Sequence, residues 1–174
     1  MVENARINTL PDLVRIVVGV EPAISNTEFS AETGIIAVGC DSQGIGYVLD
    51  DRSIKGSPVE WANAAIALYH RSSADRIVVE ANQGGDMVRH TLHTVESNIP
   101  IKSVHATRGK RTRAEPVSAL YEQGKVKHVG AFPQLEDQMC SWTPDSASPD
   151  RLDALVWGLT ELMVGSQLPP AVIP

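Results

Sequence analysis

The sequence predicts an α/β fold: a mixed β-sheet, with an antiparallel hairpin beside parallel strands, and helices on both faces. The hairpin is indicated by apolar runs at residues 34–40 and 45–50, which flank a polar turn containing Gly44. Beyond it, short β-branched runs alternate with segments of helical periodicity. That alternation is typical of helices that cross over between parallel strands.

The individual elements follow from local patterns. Short β-branched runs predict strands at residues 15–20, 76–80, 101–105 and 126–129. Helical spacing of apolar residues predicts helices at residues 57–69, 87–95, 113–123, 133–140 and 149–163. The first helix has the clearest start: Ser57 can cap it, Pro58 suits its first turn, and Glu60 stands three residues after the cap.

Length and composition indicate one globular domain. We place it at residues 15–165, between a tail or linker at residues 1–14 and a C-terminal tail at residues 166–174. Hydrophobic residues make up 43% of the chain and charged residues 21%, which excludes wholesale disorder. The chain has no signal-like start and no apolar run of about 18 residues, so we expect a cytoplasmic protein without membrane contact.

Charge and cysteine content narrow the class further. The formal net charge of -6 argues against a general nucleic-acid coat protein, which is usually basic, but permits a nuclease with a local basic patch. Cys40 and Cys140 lie outside any C-x-x-C pair. Neither a zinc site nor a disulfide framework is therefore supported.

Acidic residues stand where strands end or a helix begins. Glu21 and Glu80 each follow a buried apolar run, and Asp150 and Asp153 fall in the first turn of the last helix. Ligands collect beyond the carboxyl ends of strands in an open α/β sheet, so these side chains meet if the two strands pair. Each acid alone also fits a turn residue, a helix cap or a partner of the helix dipole.

Such a carboxylate cluster needs cations, because like charges a few ångströms apart cannot all stay ionised in a dry site. Oxygen ligands favour hard divalent ions, Mg²⁺ or Mn²⁺. Two such ions about 3.5–4 Å apart can activate a water and stabilise the leaving oxygen of a phosphodiester. The cluster therefore predicts a two-metal site.

Arg108, Lys110, Arg111 and Arg113 form the densest basic cluster, on a predicted loop that leads into a helix. They are candidates for binding DNA phosphates, which position a duplex beside a cutting site. Lys110 is also a candidate for stabilising charge at the scissile phosphate. The alternative is an ordinary solvated surface loop.

Five segments carry a family resemblance. They are VVGVEPA at residues 17–23, VVEANQGG at 78–85, KRTRAEPV at 110–117, GAFPQLEDQM at 130–139 and SPDRLDALVW at 148–157. Together they resemble the nuclease domain of phage-type terminase large subunits, found in phages, prophages and gene transfer agents. The resemblance spans nearly the whole chain, in the expected order.

The resemblance implies an RNase H-like fold, related to the Holliday-junction resolvase RuvC. It implies cleavage of double-stranded DNA with two divalent metal ions (Mg or Mn) during viral genome packaging in the host cytoplasm. By position, Glu21, Glu80 and Asp150 match the metal-binding acids, and Asp153 is a candidate fourth that we rank below Asp150. The implied partners are the terminase ATPase domain, the small terminase subunit and the portal.

Two features depart from the family pattern. Glu21 stands where the family has Asp, and its extra methylene shifts the carboxylate in a site specified to about half an ångström. The longer side chain is either tolerated or attenuating, and we predict that Glu21→Asp raises nuclease activity. The chain also lacks the G-x-x-x-x-G-K-[ST] phosphate loop of the packaging ATPase, so we interpret it as an excised C-terminal domain with Met1 as an expression start.

Two other functions stay open on the sequence alone. A RuvC-like Holliday-junction resolvase would require a dimer and would prefer four-way junctions to linear duplex. A non-catalytic DNA- or partner-docking module with an impaired site is the other alternative, and Glu21 is its best argument.

Overall fold

A central β-sheet organises the computed structural model, which describes residues 2–23, 32–81, 85–106, 109–147 and 149–165. The strands in these ranges are β1 (Arg6–Ile7), β2 (Arg15–Glu21), β3 (Glu32–Cys40), β4 (Gly46–Asp51), β5 (Ile54–Lys55), β6 (Arg76–Glu80), β7 (Ile101–Val104) and β8 (Val126–Val129). The helices are α1 (Pro58–Arg71), α2 (Gly85–Val95), α3 (Lys110–Glu122), α4 (Pro133–Ser141) and α5 (Asp150–Leu159). A 3-10 turn (Glu3–Ala5) precedes β1, and a π-helical turn (Thr160–Val164) follows α5.

The sheet is mixed, as the sequence predicts. Its strands are ordered β1-β8-β4-β3-β2-β6-β7, and β5 pairs with β3 beside this path. β3 runs antiparallel to β2 and β4. β6 and β7 continue in parallel from β2, and β8 and β1 continue in parallel from β4. The carboxyl ends of β2, β6 and β7 therefore lie at one edge of the sheet.

Helices cover both faces of the sheet, which confirms the predicted layers. α3, α4 and α5 share one apolar cluster with alternate strand residues, and α1 and α2 share a second cluster on the other face. In β2, Val17 belongs to the first cluster, whereas Val18 and Val20 belong to the second. This period-two alternation explains why the strand is apolar throughout: both of its faces are buried.

The helix start predicted at Ser57 is confirmed. Its hydroxyl accepts a hydrogen bond from the backbone N–H of Glu60, and the Glu60 carboxylate accepts one from the backbone N–H of Ser57 at 2.7 Å. This reciprocal capping box satisfies two helix donors that would otherwise have no partner.

Part of the segment that we predicted to be a tail or linker is instead built into the sheet. β1 pairs in parallel with β8, aligning Arg6 with His128. Arg6 also forms an ion pair with Glu136, whose carboxylate contacts the buried His128 ring. Val2 and Ala5 are buried. A two-residue strand has no readable periodicity, and its partners are distant in sequence, so local patterns did not reveal it.

Lys110 and Arg111 of the basic cluster lie in a helix and not, as predicted, on a loop. α3 begins at Lys110, earlier than the predicted start at Arg113. Cations in a first helical turn oppose the helix dipole, so local patterns offered no reason to begin a helix there. Arg108 and the predicted C-terminal tail, residues 166–174, lie outside the described residues. In the part of the chain that the structure describes, no helix has the length and apolar character needed to span a membrane.

Candidate metal centre

Two parallel strands end in acids at the same edge of the sheet. Glu21 is the last residue of β2, and Glu80 is the last residue of β6. The two strands pair Val20 with Val79, so the acids that follow reach the edge side by side. Their charges interact, since the Glu80 carboxylate contributes to raising the pKa of Glu21.

Two glycines let α5 approach this edge closely. A Cβ atom on Gly34 would overlap the backbone carbonyl of Asp150, and a Cβ atom on Gly19 would overlap the backbone carbonyl of Ala154. Gly34 also lies opposite Glu21 in the β2–β3 ladder. The missing side chains therefore allow the first turn of α5 to lie directly against the strand residues around Glu21.

Arg151 anchors the start of α5 to two strands. Its guanidinium donates two hydrogen bonds to Glu32 of β3, at 3.0 and 2.6 Å, and a third to Asp51 of β4. The residue is only 6% exposed, so water competes little with these contacts. A bidentate arginine–carboxylate pair fixes orientation as well as distance. The acids near it in the first turn, Asp150 and Asp153, are therefore held on a rigid element.

The two aspartates of α5 differ in burial. Asp153 is 6% exposed, and Asp150 is half-buried. Burial raises the pKa of Asp150 to about 6. The ammonium of Lys110 lowers this pKa, and the carboxylates of Asp153 and Glu32 raise it further. Desolvation of a carboxylate among other carboxylates is the condition under which a bound cation stabilises it most.

Glu21 is the most buried acid at this edge, at 3% exposure. Its Oε2 accepts a hydrogen bond from Trp157 Nε1 at 2.8 Å, and its Oε1 lies 3.9 Å from Lys110 Nζ. Burial raises the pKa of Glu21 to about 7; the hydrogen bond from Trp157 lowers it, and the charges of Asp153 and Glu80 raise it further. The carboxylate is thus held in place while its charge is only partly compensated.

Lys110 supplies the positive charge among these acids. Its ammonium contacts the Asp153 carboxylate directly. Burial opposes the charged form, but the hydrogen bond to Asp153 and the charges of Glu21 and Asp150 outweigh it and raise the pKa of Lys110. The side chain therefore stays protonated and offsets part of the negative charge.

The donor chemistry fits hard divalent cations. Carboxylate oxygens are the ligands that Mg²⁺ and Mn²⁺ prefer, and the acids bring more negative charge than Lys110 offsets. Within the described residues, no three His, Cys, Asp or Glu side chains are close enough to form a ready-made metal group. Lys110 instead occupies a charge-compensating position between Asp153 and Glu21. A metal ion held by these acids would therefore require their side chains to move closer together.

The sequence profile of one protein family, described as the terminase RNase H-like domain, matches residues 30–162. The chain belongs to this family. The profile spans Glu80, Asp150 and Asp153 but not Glu21, which precedes it. No curated protein sequence matches the chain.

Solved structures share the fold of this terminase domain. The large terminase of a thermophilic bacteriophage superposes with a TM-score of 0.68 at 11% identity, over 93% of this chain and 43% of that one. The large terminase nuclease of the thermophilic phage G20c has a TM-score of 0.64 at 12% identity, over 84% and 82% of the two chains. The RuvC structure of Thermus thermophilus has a TM-score of 0.53 at 16% identity, over 86% and 95%. The RNase H-like fold is thereby confirmed, and the chain spans less than half of the first of these terminases.

The predicted basic cluster of the terminase domain divides into different environments. Lys110 lies among the acids. Arg111 is exposed and lies 3.4 Å from the exposed Glu115. Arg113 is half-buried, with its guanidinium 4.4 Å from the centre of the Trp157 ring. Of the described cluster, Arg111 is the most exposed side chain, as expected of a residue that contacts duplex phosphates.

Sequence reasoning missed three contributors to the site: Trp157, Arg151 and Gly34. Trp157 lies on an apolar helix face and is buried, as a core residue would be, yet its N–H donates to Glu21. Arg151 precedes the apolar part of α5, and an arginine buried there needs an acidic partner. Gly34 had no sequence signal, because its role depends on a helix far along the chain.

Proposed function

We propose that this terminase domain is a metal-dependent endonuclease that cuts double-stranded DNA by two-metal phosphodiester hydrolysis during viral genome packaging. One observation carries the proposal. Glu21, Glu80, Asp150 and Asp153 come from two strand ends and one helix start to a single edge of a fold shared with terminase nucleases.

The residues that would hold Mg²⁺ or Mn²⁺ are these same four acids. When bound, two such ions would supply an activated water and stabilise the leaving oxygen of the phosphodiester. The G20c terminase nuclease has been solved with bound zinc, and the nuclease domain of the Sf6 terminase subunit gp2 with manganese. Those structures support the proposal that the present chain also requires a divalent metal.

Lys110 has a second role in the proposal. Its ammonium is protonated and partly exposed, and it contacts a carboxylate oxygen of Asp153. A phosphate oxygen of DNA is an equivalent anionic acceptor for the same group. The side chain can therefore exchange its contact with Asp153 for the scissile phosphate and hold negative charge there.

Contacts with the rest of the duplex are proposed for Arg111, which is exposed on the first turn of α3 close to Lys110. Arg108 belongs to the same proposal, although it lies outside the described residues. The packaging role and the partners that accompany it, namely the ATPase domain, the small subunit and the portal, rest on membership of the terminase family.

The proposal is tested by plasmid cleavage in Mn²⁺, in Mg²⁺ and in excess chelator. We expect cutting in metal, none in chelator, and a loss of at least a hundredfold in Glu80→Gln and Asp150→Asn, with folding retained because both residues lie at element ends. Glu122→Gln, an exposed acid at the end of α3, is the matched control and should cut at the parental rate. Metal-independent cutting contradicts the proposal. DNA binding without cutting in either metal supports the docking module with an impaired site.

A second candidate, a RuvC-like junction resolvase, is supported by the fold that the chain shares with the Thermus thermophilus RuvC. The two candidates differ in substrate. Cleavage of a linear duplex at a rate equal to or above that of a four-way junction supports the terminase nuclease. A strong preference for the junction, together with dimerisation in solution, supports the resolvase.

A further inference from the structure

A chain of contacts runs from α3 through α5 to the acid at the end of β2. The Trp157 indole N–H donates to Glu21 Oε2 at 2.8 Å, and both groups are buried. The Arg113 guanidinium lies over the face of the same indole, 4.4 Å from the ring centre. Among the described residues, Arg113 Nε is buried and has no hydrogen-bond partner. The guanidinium is instead stacked on the indole.

The length of the Glu21 side chain is what makes this hydrogen bond possible. β2 is paired on both sides, with β3 and with β6, so the backbone at Glu21 cannot move toward α5. An aspartate there would withdraw the carboxylate by about the length of one C–C bond, roughly 1.5 Å. A donor–acceptor distance of 2.8 Å would then exceed the range of a hydrogen bond.

We infer that Trp157, supported by Arg113, is a positioning residue that specifies glutamate at position 21 of the metal centre. The inference rests on the proposed function, in which Glu21 is a metal ligand. It reverses the expectation drawn from the sequence, since shortening Glu21 to aspartate would separate it from Trp157. Glu21 is then the residue around which this site is built.

The physical basis is orientation of the ligand. With Oε2 held by Trp157, the other oxygen, Oε1, remains on the side of Lys110 and the α5 acids. Partners that hold a ligating carboxylate in one orientation reduce the ordering required when metal binds. The Arg113 cation over the ring face attracts the π electrons, and this makes the indole N–H a stronger donor.

The test measures Mn²⁺ binding by calorimetry for the unaltered chain, Glu21→Asp, Trp157→Phe and the double variant. We expect each single variant to weaken Mn²⁺ binding about tenfold, equivalent to about 1.4 kcal/mol. The double variant should bind Mn²⁺ no more weakly than either single variant, because both changes remove the same contact. Trp61→Phe is the matched control: this indole is 7% exposed, as against 6% for Trp157, and packs in the cluster on the opposite face of the sheet.

A spectroscopic readout reports the contact itself. In a ¹⁵N-correlated NMR spectrum without metal, the indole N–H proton of Trp157 should move upfield in Glu21→Asp, while that of Trp61 stays in place. Arg113→Leu keeps the apolar contact but removes the cation. Arg113→Leu should move the Trp157 indole proton upfield by less than Glu21→Asp does and should weaken Mn²⁺ binding about threefold. If Trp157→Phe fails to fold, Arg113→Leu replaces it in the test.

The outcomes separate this inference from the proposed function. Unchanged Mn²⁺ affinity in Trp157→Phe, additive losses in the double variant, or tighter binding in Glu21→Asp would overturn the inference alone. If the unaltered chain binds no Mn²⁺, the proposed function is contradicted, and the inference falls with it.

Discussion

The ammonium group of Lys110 contacts the carboxylate of Asp153 and joins the first turn of α3 to the first turn of α5. A helix start favours anions, so Asp153 suits its position and Lys110 does not. The position of Lys110 is explained by the acids it faces, including Glu21 at 3.9 Å. In a metal centre, the same ammonium and a divalent cation compete for the same carboxylates. Under the proposed function, the contact therefore links the stability of the domain to metal binding.

Replacing Lys110 with glutamine should expose this link. In chelator, Lys110→Gln should lower Tm by a few degrees, because Asp153 and Glu21 lose the cation that offsets them. A loss of roughly 1 kcal/mol corresponds to about 2–4 °C in a domain of this size. Addition of Mn²⁺ should then raise Tm by more than in the unaltered chain. Thermal unfolding with and without Mn²⁺ measures both effects, and Lys125→Gln, at an exposed position, is the control. An equal or smaller Mn²⁺ response in Lys110→Gln would show that the two cations do not compete.

Gly34→Ala should damage the site through the backbone. The new Cβ atom would overlap the carbonyl of Asp150, so α5 must move away from β3. We expect a loss of stability of about 1–3 kcal/mol, the usual cost of overpacking, and a loss of cleavage activity larger than the fraction unfolded explains. Gly109→Ala is the comparison, since nothing lies within 4 Å of its added Cβ atom. Parental cleavage by folded Gly34→Ala would mean that the close approach of α5 is not needed for the site.

Stability without metal should depend on the protonation of Glu21. Its pKa is raised by burial from an ordinary value of 4.5 to about 7, so folding favours the neutral carboxyl. The contribution of this group to stability is fully present below about pH 4.5 and is lost as pH rises through about 7. Glutamine does not titrate, so the Tm of Glu21→Gln, measured in chelator, should rise relative to that of the unaltered chain from pH 5 to pH 8. Taking the difference cancels other titrations, such as that of His128, whose pKa burial lowers. A difference that is constant across this range would contradict the assignment.

Arg111 should bind DNA without contributing to the metal centre. Arg111→Gln should weaken duplex binding and reduce the magnitude of the salt slope by about 1, because one fewer counterion is released. Mn²⁺ affinity should stay at the parental value. Duplex binding titrated across salt concentrations, with Lys125→Gln as the charge control, measures the slope. An unchanged slope would place the first turn of α3 away from the DNA.

The sheet edge at which the acids lie was predictable from sequence. The packing of α5 against that edge was not. Glu21 and Glu80 each follow a short β-branched run that predicts a buried strand. Asp150 follows Pro149, a residue typical of helix starts. Local patterns define each of these positions. The close fit of α5 depends on Gly34, and Gly34 matters only because a helix far along the chain lies against it.

Residues with two roles were the hardest to assign. Trp157 satisfies every requirement of a core residue, and a hydrogen bond from its indole N–H has no sequence signature. Arg113 was grouped with its basic neighbours because charge density is visible in sequence, whereas the direction of a side chain on a helix is not. Arg6 lies in a two-residue strand. Its ion-pair partner, Glu136, lies near the other end of the sequence. Such contacts follow from the assembled sheet and not from any local pattern.

The most direct test of the central claim is a crystal of this chain soaked in Mn²⁺ and measured at the manganese absorption edge. The account predicts anomalous peaks from two ions at the carboxyl ends of β2 and β6, with oxygen ligands from Glu21, Glu80 and at least one of Asp150 and Asp153. It also predicts that Lys110 Nζ moves away from Asp153. Anomalous peaks only elsewhere on the molecule, or none at this edge at saturating Mn²⁺, would contradict it.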